Sequence, residues 1–270
     1  MRLFRSRVRR TKPSPATRAV ELYKAERYAE AEKAARAVAR SRPRDRGELL
    51  VALTVAAVST GAQGRHAEAL TAYDEALSVS RKLFGTGHWQ TLKLRSDRAQ
   101  QLASLDRHAE CEAESEAVVR EAAGGTHPEI RRVAAAATNG VVFALNAQGH
   151  HAKAETLARD ALAELREPHR IRLVLQIGLA RSLNGQARYE EALAEAATAG
   201  ELHRALPEGQ RGPEAGAVDL VAATALLGLG RVTEARTRAD AAHDACLASF
   251  GPAHRRTVEA RELLDRFDAA

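Results

Sequence analysis

At 270 residues the chain is long enough for one large domain or two ordinary ones. Aromatic residues make up only 4% while alanine is abundant, which disfavours a sandwich or barrel and leaves close helix approach to supply the packing. Of the 41 basic residues, Arg2, Arg5, Arg7, Arg9, Arg10 and Lys12 stand at the start; the other 35 equal the 35 acidic residues, so the body of the chain is neutral and no specific nucleic-acid partner is expected.

Residues 1–14 read as a flexible basic tail, for which three readings stay open. They are a solubilising leader, a weak contact of the six cations with an anionic membrane or nucleic acid, and an N-terminal cap, the last opposed by Pro13 and Pro15. The apolar patches Leu3-Phe4 and Val8 are too short for the core of a signal peptide. No stretch reaches the ~20 apolar residues of a membrane span, and a cytoplasmic protein is expected. Cys111 and Cys246 are too few for a disulfide framework, and neither has the neighbour of a CxxC pair.

From residue 15 onward one phrase recurs six times. In chain order it is Glu26-Arg27-Tyr28-Ala29-Glu30-Ala31, Gly64-Arg65-His66-Ala67-Glu68-Ala69, Asp106-Arg107-His108-Ala109-Glu110-Cys111, Gly149-His150-His151-Ala152-Lys153-Ala154, Ala187-Arg188-Tyr189-Glu190-Glu191-Ala192 and Gly230-Arg231-Val232-Thr233-Glu234-Ala235. The second residues are 38, 42, 43, 38 and 43 positions apart, a period that belongs to stacked helix pairs. Before each phrase a small residue recurs at Ala19, Ala57, Ala99, Ala180 and Ala223, with Val142 the bulkier case. Three residues later come Leu22, Leu102, Leu145, Leu183 and Leu226, with Thr60 the exception. Small then large on one helical face makes a hole beside a knob. Pro43, Pro128, Pro168, Pro207, Pro213 and Pro252 fall between pairs, and Gly64, Gly149 and Gly230 close first helices. Arg95, Arg98 and Asp219 sit where large apolar residues are expected, which predicts either a local shift of frame or loose packing there.

These phrases resemble the tetratricopeptide repeat, in the extended form of about 42 residues found in kinesin light chains and many bacterial proteins. Phe84-Gly85-Thr86-Gly87-His88-Trp89-Gln90-Thr91-Leu92 and Phe250-Gly251-Pro252-Ala253-His254-Arg255-Arg256-Thr257-Val258 match that form's linker, and Gly125-Thr126-His127-Pro128-Glu129-Ile130 is a partial copy. The resemblance covers residues 15–270 and implies an all-α, right-handed α-solenoid of about six antiparallel helix pairs. The pairs lie near 15–43, 44–84, 88–124, 127–166, 169–206 and 213–250, and an amphipathic segment at 254–268 serves as the cap such stacks need.

What the resemblance implies about function is a non-catalytic scaffold or regulatory adaptor that binds a protein segment or peptide on its concave face. The family's groove positions carry over to Lys93, Ser96, Gln100 and Ser104, then Asn139, Phe143 and Asn146, then Ile177, Arg181 and Asn184, and finally Leu220, Thr224 and Leu227. Amide side chains in such a row suit a peptide main chain, and Phe143 and Ile177 suit a side chain. Two other readings stay open: a receptor enclosing a small molecule or signalling peptide, marked by an apolar pocket near Phe143 and Leu220, and an accessory subunit of an enzyme.

Seven of the ten histidines follow the repeat. His66, His108 and His151 share the slot of Tyr28 and Tyr189, while His88, His127, His169 and His254 recur in linkers. Adjacent His150 and His151 point in different directions on a helix, so no metal site is expected of them. Cys111 replaces a packing alanine and reads as a buried thiol. No phosphate-binding loop, nucleophile elbow or HExxH sequence occurs; neither a catalytic residue nor a cofactor is expected. Nothing in the sequence decides the oligomeric state.

Overall fold

The structure, a computed structural model, describes residues 14–165, 169–207, 211, 214, 216–252 and 254–268. The six tail cations, together with Pro168 and Pro213, lie outside the described residues. Thirteen helices and no strand occur among the described residues: α1 Pro15–Lys24, α2 Tyr28–Arg40, α3 Arg46–Ala62, α4 His66–Phe84, α5 Trp89–Ser104, α6 His108–Ala122, α7 Pro128–Ala147, α8 His151–Glu164, α9 Arg170–Gly185, α10 Tyr189–Ala205, α11 Ala217–Gly228, α12 Val232–Phe250 and α13 Arg255–Asp268. This is a helical repeat solenoid. The chain divides into two compact units, Met1–Gly85 with α1 to α4 and Thr86–Ala270 with α5 to α13.

Each recurring phrase is the turn inside a pair. Its first residue, Glu26, Gly64, Asp106, Gly149, Ala187 or Gly230, has φ between 57° and 79°, the left-handed region that stops one helix and redirects the chain. Three of the six are glycine, for which this conformation carries no Cβ penalty; Ala187 bears it in full. The second residue then starts the even helix, its carbonyl accepting from the N–H four residues on, as Arg65 does from Ala69 at 2.9 Å. In five of the six phrases its guanidinium also grips the glutamate three residues later, as in Arg107–Glu110 at 2.7 Å. These pairs are largely exposed and contribute little to stability, but the glutamate lies at the positive end of its helix.

The linker histidines are helix N-caps. Nδ1 of His88, His127, His169 and His254 accepts the backbone N–H of Gln90, Glu129, Ile171 and Arg256 at 3.1 to 3.3 Å. An accepting Nδ1 requires the tautomer with its proton on Nε2, so the recurring imidazole does the work that Asp45 and Ser14 do for α3 and α1.

Within the first unit α1 packs on α2, α2 on α3 and α3 on α4, and α1 also meets α3. Within the second unit α7, α9 and α11 each pack on both neighbouring even helices, and the odd ones also pack on each other: α5 on α7, α7 on α9, α9 on α11. The odd helices therefore form the tighter row and line the inner face. Small residues permit this, Ala19, Ala57, Ala180 and Ala223 being wholly buried. Val142, the bulkier case, is met by Gly178 of the next odd helix, where an added Cβ would lie 2.8 Å from the valine Cγ1. The aromatic slot follows the same rule, the His151 ring lying against Gly185 and the Tyr189 ring against Gly228.

Polar clips join successive pairs. Gln63, Gln148 and Gln186, each following an odd helix, donate to Glu32, Glu112 and Glu155 of the preceding even helix at 2.9, 2.5 and 2.8 Å. Burial alone would raise the pKa of Glu32, but hydrogen bonds from Arg36, Gln63 and Arg65 bring it down to about 2. The expected frame shift or loose packing at Arg95 and Asp219 is corrected. Arg95 is buried in frame and donates to Glu114 and Glu121 of α6 at 2.7 and 2.6 Å, while Asp219 accepts from Arg238 at 2.7 Å. A paired guanidinium takes the volume of an apolar side chain; unpaired, it would be costly there. Among the described residues no helix is long and apolar enough to cross a membrane.

Two stability measurements test this account. Ala187→Gly relieves the left-handed alanine and is expected to raise stability by about 0.5–1 kcal/mol, read as a higher melting temperature; an unchanged or lower value would contradict the turn geometry. Glu32 has a folded pKa below its unfolded value, so its stabilisation is complete above the ordinary carboxylate range and is lost as pH falls toward about 2. Denaturant titrations of Glu32→Gln between neutral pH and about pH 2 should therefore show a shallower acid loss of stability than the unaltered chain.

Candidate functional site

The inner face of the second unit carries the groove positions, and the helices treat them differently. On α5, Lys93 is exposed and pairs with Asp97 at 2.6 Å, Gln100 and Ser104 are exposed, and Ser96 is buried. On α7, Asn139 and Phe143 are half-buried. Asn146 is turned toward the next pair, its Nδ2 donating to the Gly178 carbonyl at 3.1 Å and to Ser182 at 3.0 Å. On α9, Asn184 similarly donates to the Val221 carbonyl at 2.9 Å, and Ile177 is packed with Leu173, Ala196 and Val221. On α11, Leu220 is packed with Ala223, Ala239 and Leu263, and Thr224 is half-buried with its hydroxyl donating to the Leu220 carbonyl at 2.9 Å.

Three of the expected groove positions, Ser96, Ile177 and Leu220, are buried, and Asn146 and Asn184 satisfy backbone carbonyls of the following odd helix. Leu220 is absorbed into the core and is thereby removed as a wall of an apolar pocket with Phe143.

Asn139, Phe143, Asn146, Arg181, Asn184, Thr224 and Leu227 are half-buried, and two of them, Phe143 and Arg181, meet α13. Arg181 donates to Glu259 at 3.2 Å, and the Arg255 guanidinium lies 4.5 Å from the centroid of the Phe143 ring. The Phe143 ring also meets His108, centroid to centroid 5.9 Å in an edge arrangement. His108 Nε2 lies 3.6 Å from Asp106, while its Nδ1 is buried with no hydrogen bond among the described residues. Burial lowers the pKa of Arg255, and Arg181 and Arg256 push the same way against Glu259 and Asp106. Alongside, buried Glu214 accepts from Arg170 at 2.7 Å and Arg256 at 3.1 Å, tying α13 to the start of α9. The desolvation of Glu214 is more than offset by these two cations, which hold its carboxyl below the usual range.

Sequence reasoning had no signal for Arg255 or Glu259, which stand in a segment that reads only as an amphipathic cap. His108 was legible in the aromatic slot but not as a neighbour of Phe143. The first unit holds two shallow clefts, about 370 Å³ between α1 and α3 by Val20, Asp45 and Glu48, and about 240 Å³ by Arg36, Leu49 and Leu53. Cys111 is buried, with Sγ 3.8 Å from the Gly140 carbonyl; burial pushes its thiol up to about 11, which keeps it protonated and unreactive at neutral pH.

Residues 49–90 match the tetratricopeptide repeat family. No curated protein matches the chain by sequence. The fold is shared with NprR in complex with its cognate peptide NprX, at a TM-score of 0.69 and 13% identity over 94% of this chain and 72% of that one. It is shared with BtubC from P. vanneervenii, at a TM-score of 0.59 and 16% identity over 88% and 92%. A kinesin light chain of Podosopora anserina with nearly identical TPR-like repeats aligns at a TM-score of 0.55 and 20% identity, over 70% and 93%. At these identities the likeness is one of fold.

The Arg181–Glu259 contact lends itself to a double-mutant cycle. Arg181→Ala and Glu259→Ala, measured singly and together by denaturant unfolding, should show a coupling of about 0.5 kcal/mol, as for a partly exposed pair, and additivity would mean that the two side chains do not interact.

Proposed function

We propose that this helical repeat solenoid, which matches the tetratricopeptide repeat family over residues 49–90, has no catalysis of its own and binds a protein segment or peptide on the inner face of its second unit. The observation that carries this reading is the half-buried set Asn139, Phe143, Arg181 and Thr224 on successive odd helices. It joins an amide, an aromatic face, a guanidinium and a hydroxyl, the mixture that orients a peptide by hydrogen bonds and anchors one side chain. Phe143 offers area at small conformational cost, and Arg181 offers a planar donor for a carboxylate. The fold shared with NprR, whose structure holds its cognate peptide, supports a peptide in preference to a small molecule. Burial of Leu220 supports the same preference, since an enclosing apolar pocket loses that wall.

The scaffold reading further holds that Lys93 and Gln100, exposed on α5, extend the same face, and that the tail cations make at most a weak, salt-dependent contact with anionic surfaces. Affinity capture from the cell of origin tests the inner face. The full chain and an Asn139→Ala/Phe143→Ala/Arg181→Ala variant, matched for helicity and melting temperature, should differ in the proteins retained, with the variant losing at least one that the unaltered chain holds. Identical retained sets would remove the inner face as the binding surface.

A further inference from the structure

In a stack of helix pairs, chain connectivity brings together only neighbours. The second unit departs from that rule at α13, which reaches back to α9 through Glu259 and to α7 through Arg255. The two residues are four apart and therefore share one face of the helix, about 6 Å from each other. Adjoining that face, Ala260 and Leu263 pack with Leu220, Ala223, Ala239 and Ala242, with Leu264 and Phe267 beside them. α13 thus completes the core with Ala260 and Leu263 while placing the Arg255 cation on Phe143 and the Glu259 carboxylate on Arg181.

Arg255 has an aromatic face beneath it; Arg181 and Arg256 nearby oppose its charge while Glu259 and Asp106 favour it, and Arg256 itself is engaged by Glu214. Both arginines stand in the first turn of α13, where the helix dipole disfavours positive charge. The carboxylate contact is a single bond to a partly exposed pair, and such pairs exchange readily with other partners. These two contacts cover Phe143 and Arg181, two of the positions that the proposed function assigns to a ligand.

We propose that Arg255 and Glu259 are a built-in stand-in for the partner. The inner face at Phe143 and Arg181 recognises a peptide segment presenting a basic side chain and, about one helical turn away, a carboxylate. The stand-in occupies this face until such a segment displaces the two side chains. This rests on the inner-face reading above and adds the chemistry of the partner and its internal competitor. Displacement leaves α13 docked through the core contacts of Ala260 and Leu263, so the occupied and vacated forms differ by side-chain contacts alone. A competitor tethered next to its site lowers the apparent affinity of any external segment in proportion to its occupancy.

The probe is a fluorescein-labelled synthetic peptide of residues 254–268 of this chain, with a control peptide in which Arg255 and Glu259 are replaced by serine. Binding by anisotropy is compared for the full chain, for the full chain carrying Arg255→Ser/Glu259→Ser, and for that variant with Phe143→Ala/Arg181→Ala added. The released variant is expected to bind the probe about tenfold or more tighter than the unaltered chain, and the control peptide about tenfold more weakly than the probe. The fourfold variant should bind both peptides with the same low affinity. Should the serine pair fail to fold, Arg255→Gln/Glu259→Gln keeps the side-chain volume and answers the same question. Equal binding of probe and control by the released variant would overturn the proposal, because the apolar face alone would then be recognised. Equal binding of the probe by the released and unaltered chains, or no binding by the released variant, would also overturn it. If any of these occurred while the triple variant of the capture experiment still lost its partner, only the stand-in would fall; if that loss were absent as well, the inner-face reading would fall with it.

Discussion

Everything in this chain depends on how closely one odd helix can approach the next. At a short interaxial distance the side chain at the point of contact has little room, and the recurring alanines at 19, 57, 99, 180 and 223 meet that limit. Position 142 shows that the limit concerns the pair of surfaces rather than one residue. Valine is accommodated there because Gly178 opposite it leaves the volume free. The same reciprocity places ring against glycine at His151 with Gly185 and at Tyr189 with Gly228. Tight inner packing has two consequences: the odd row becomes the inner face, and residues that a looser array would present to a ligand are drawn into the seam.

Polar groups in this seam set register where alanine cannot. Featureless small surfaces slide, whereas a buried charge permits only the arrangement in which its partner is present. Glu32 with Arg36, Gln63 and Arg65, Arg95 with Glu114 and Glu121, and Glu214 with Arg170 and Arg256 each join segments that are distant in sequence. Asn146 and Asn184 act similarly without charge, donating to backbone carbonyls of the following odd helix. Glu32, Glu214, Asn146 and Asn184 thereby connect one pair to another, whereas Arg95 joins the two helices of its own pair.

The inner face is therefore narrower than its repeat positions imply. Phe143 and Arg181 are both engaged by α13, which also packs Ala260 and Leu263 into the core at the end of the stack. The histidine slot contributes as well, since His108 supplies an edge to Phe143 in place of the tyrosine that occupies the equivalent position in other pairs.

The period of about 42 residues, the turn phrase and the small-then-large spacing on each first helix were legible in the chain itself, because each depends on residues within one or two turns of helix. The linker histidines were legible as repeat members, though their capping role needed the backbone N–H that each accepts from. Only the tertiary structure decided that Arg95 is a paired core residue, that Ile177 and Leu220 are buried, and that Arg255 and Glu259 reach Phe143 and Arg181. The physical reason is one of range. A helical face is set by spacing along the chain, whereas contact between α13 and α7 depends on small rotations summed over three successive pairs, which no single stretch of sequence encodes.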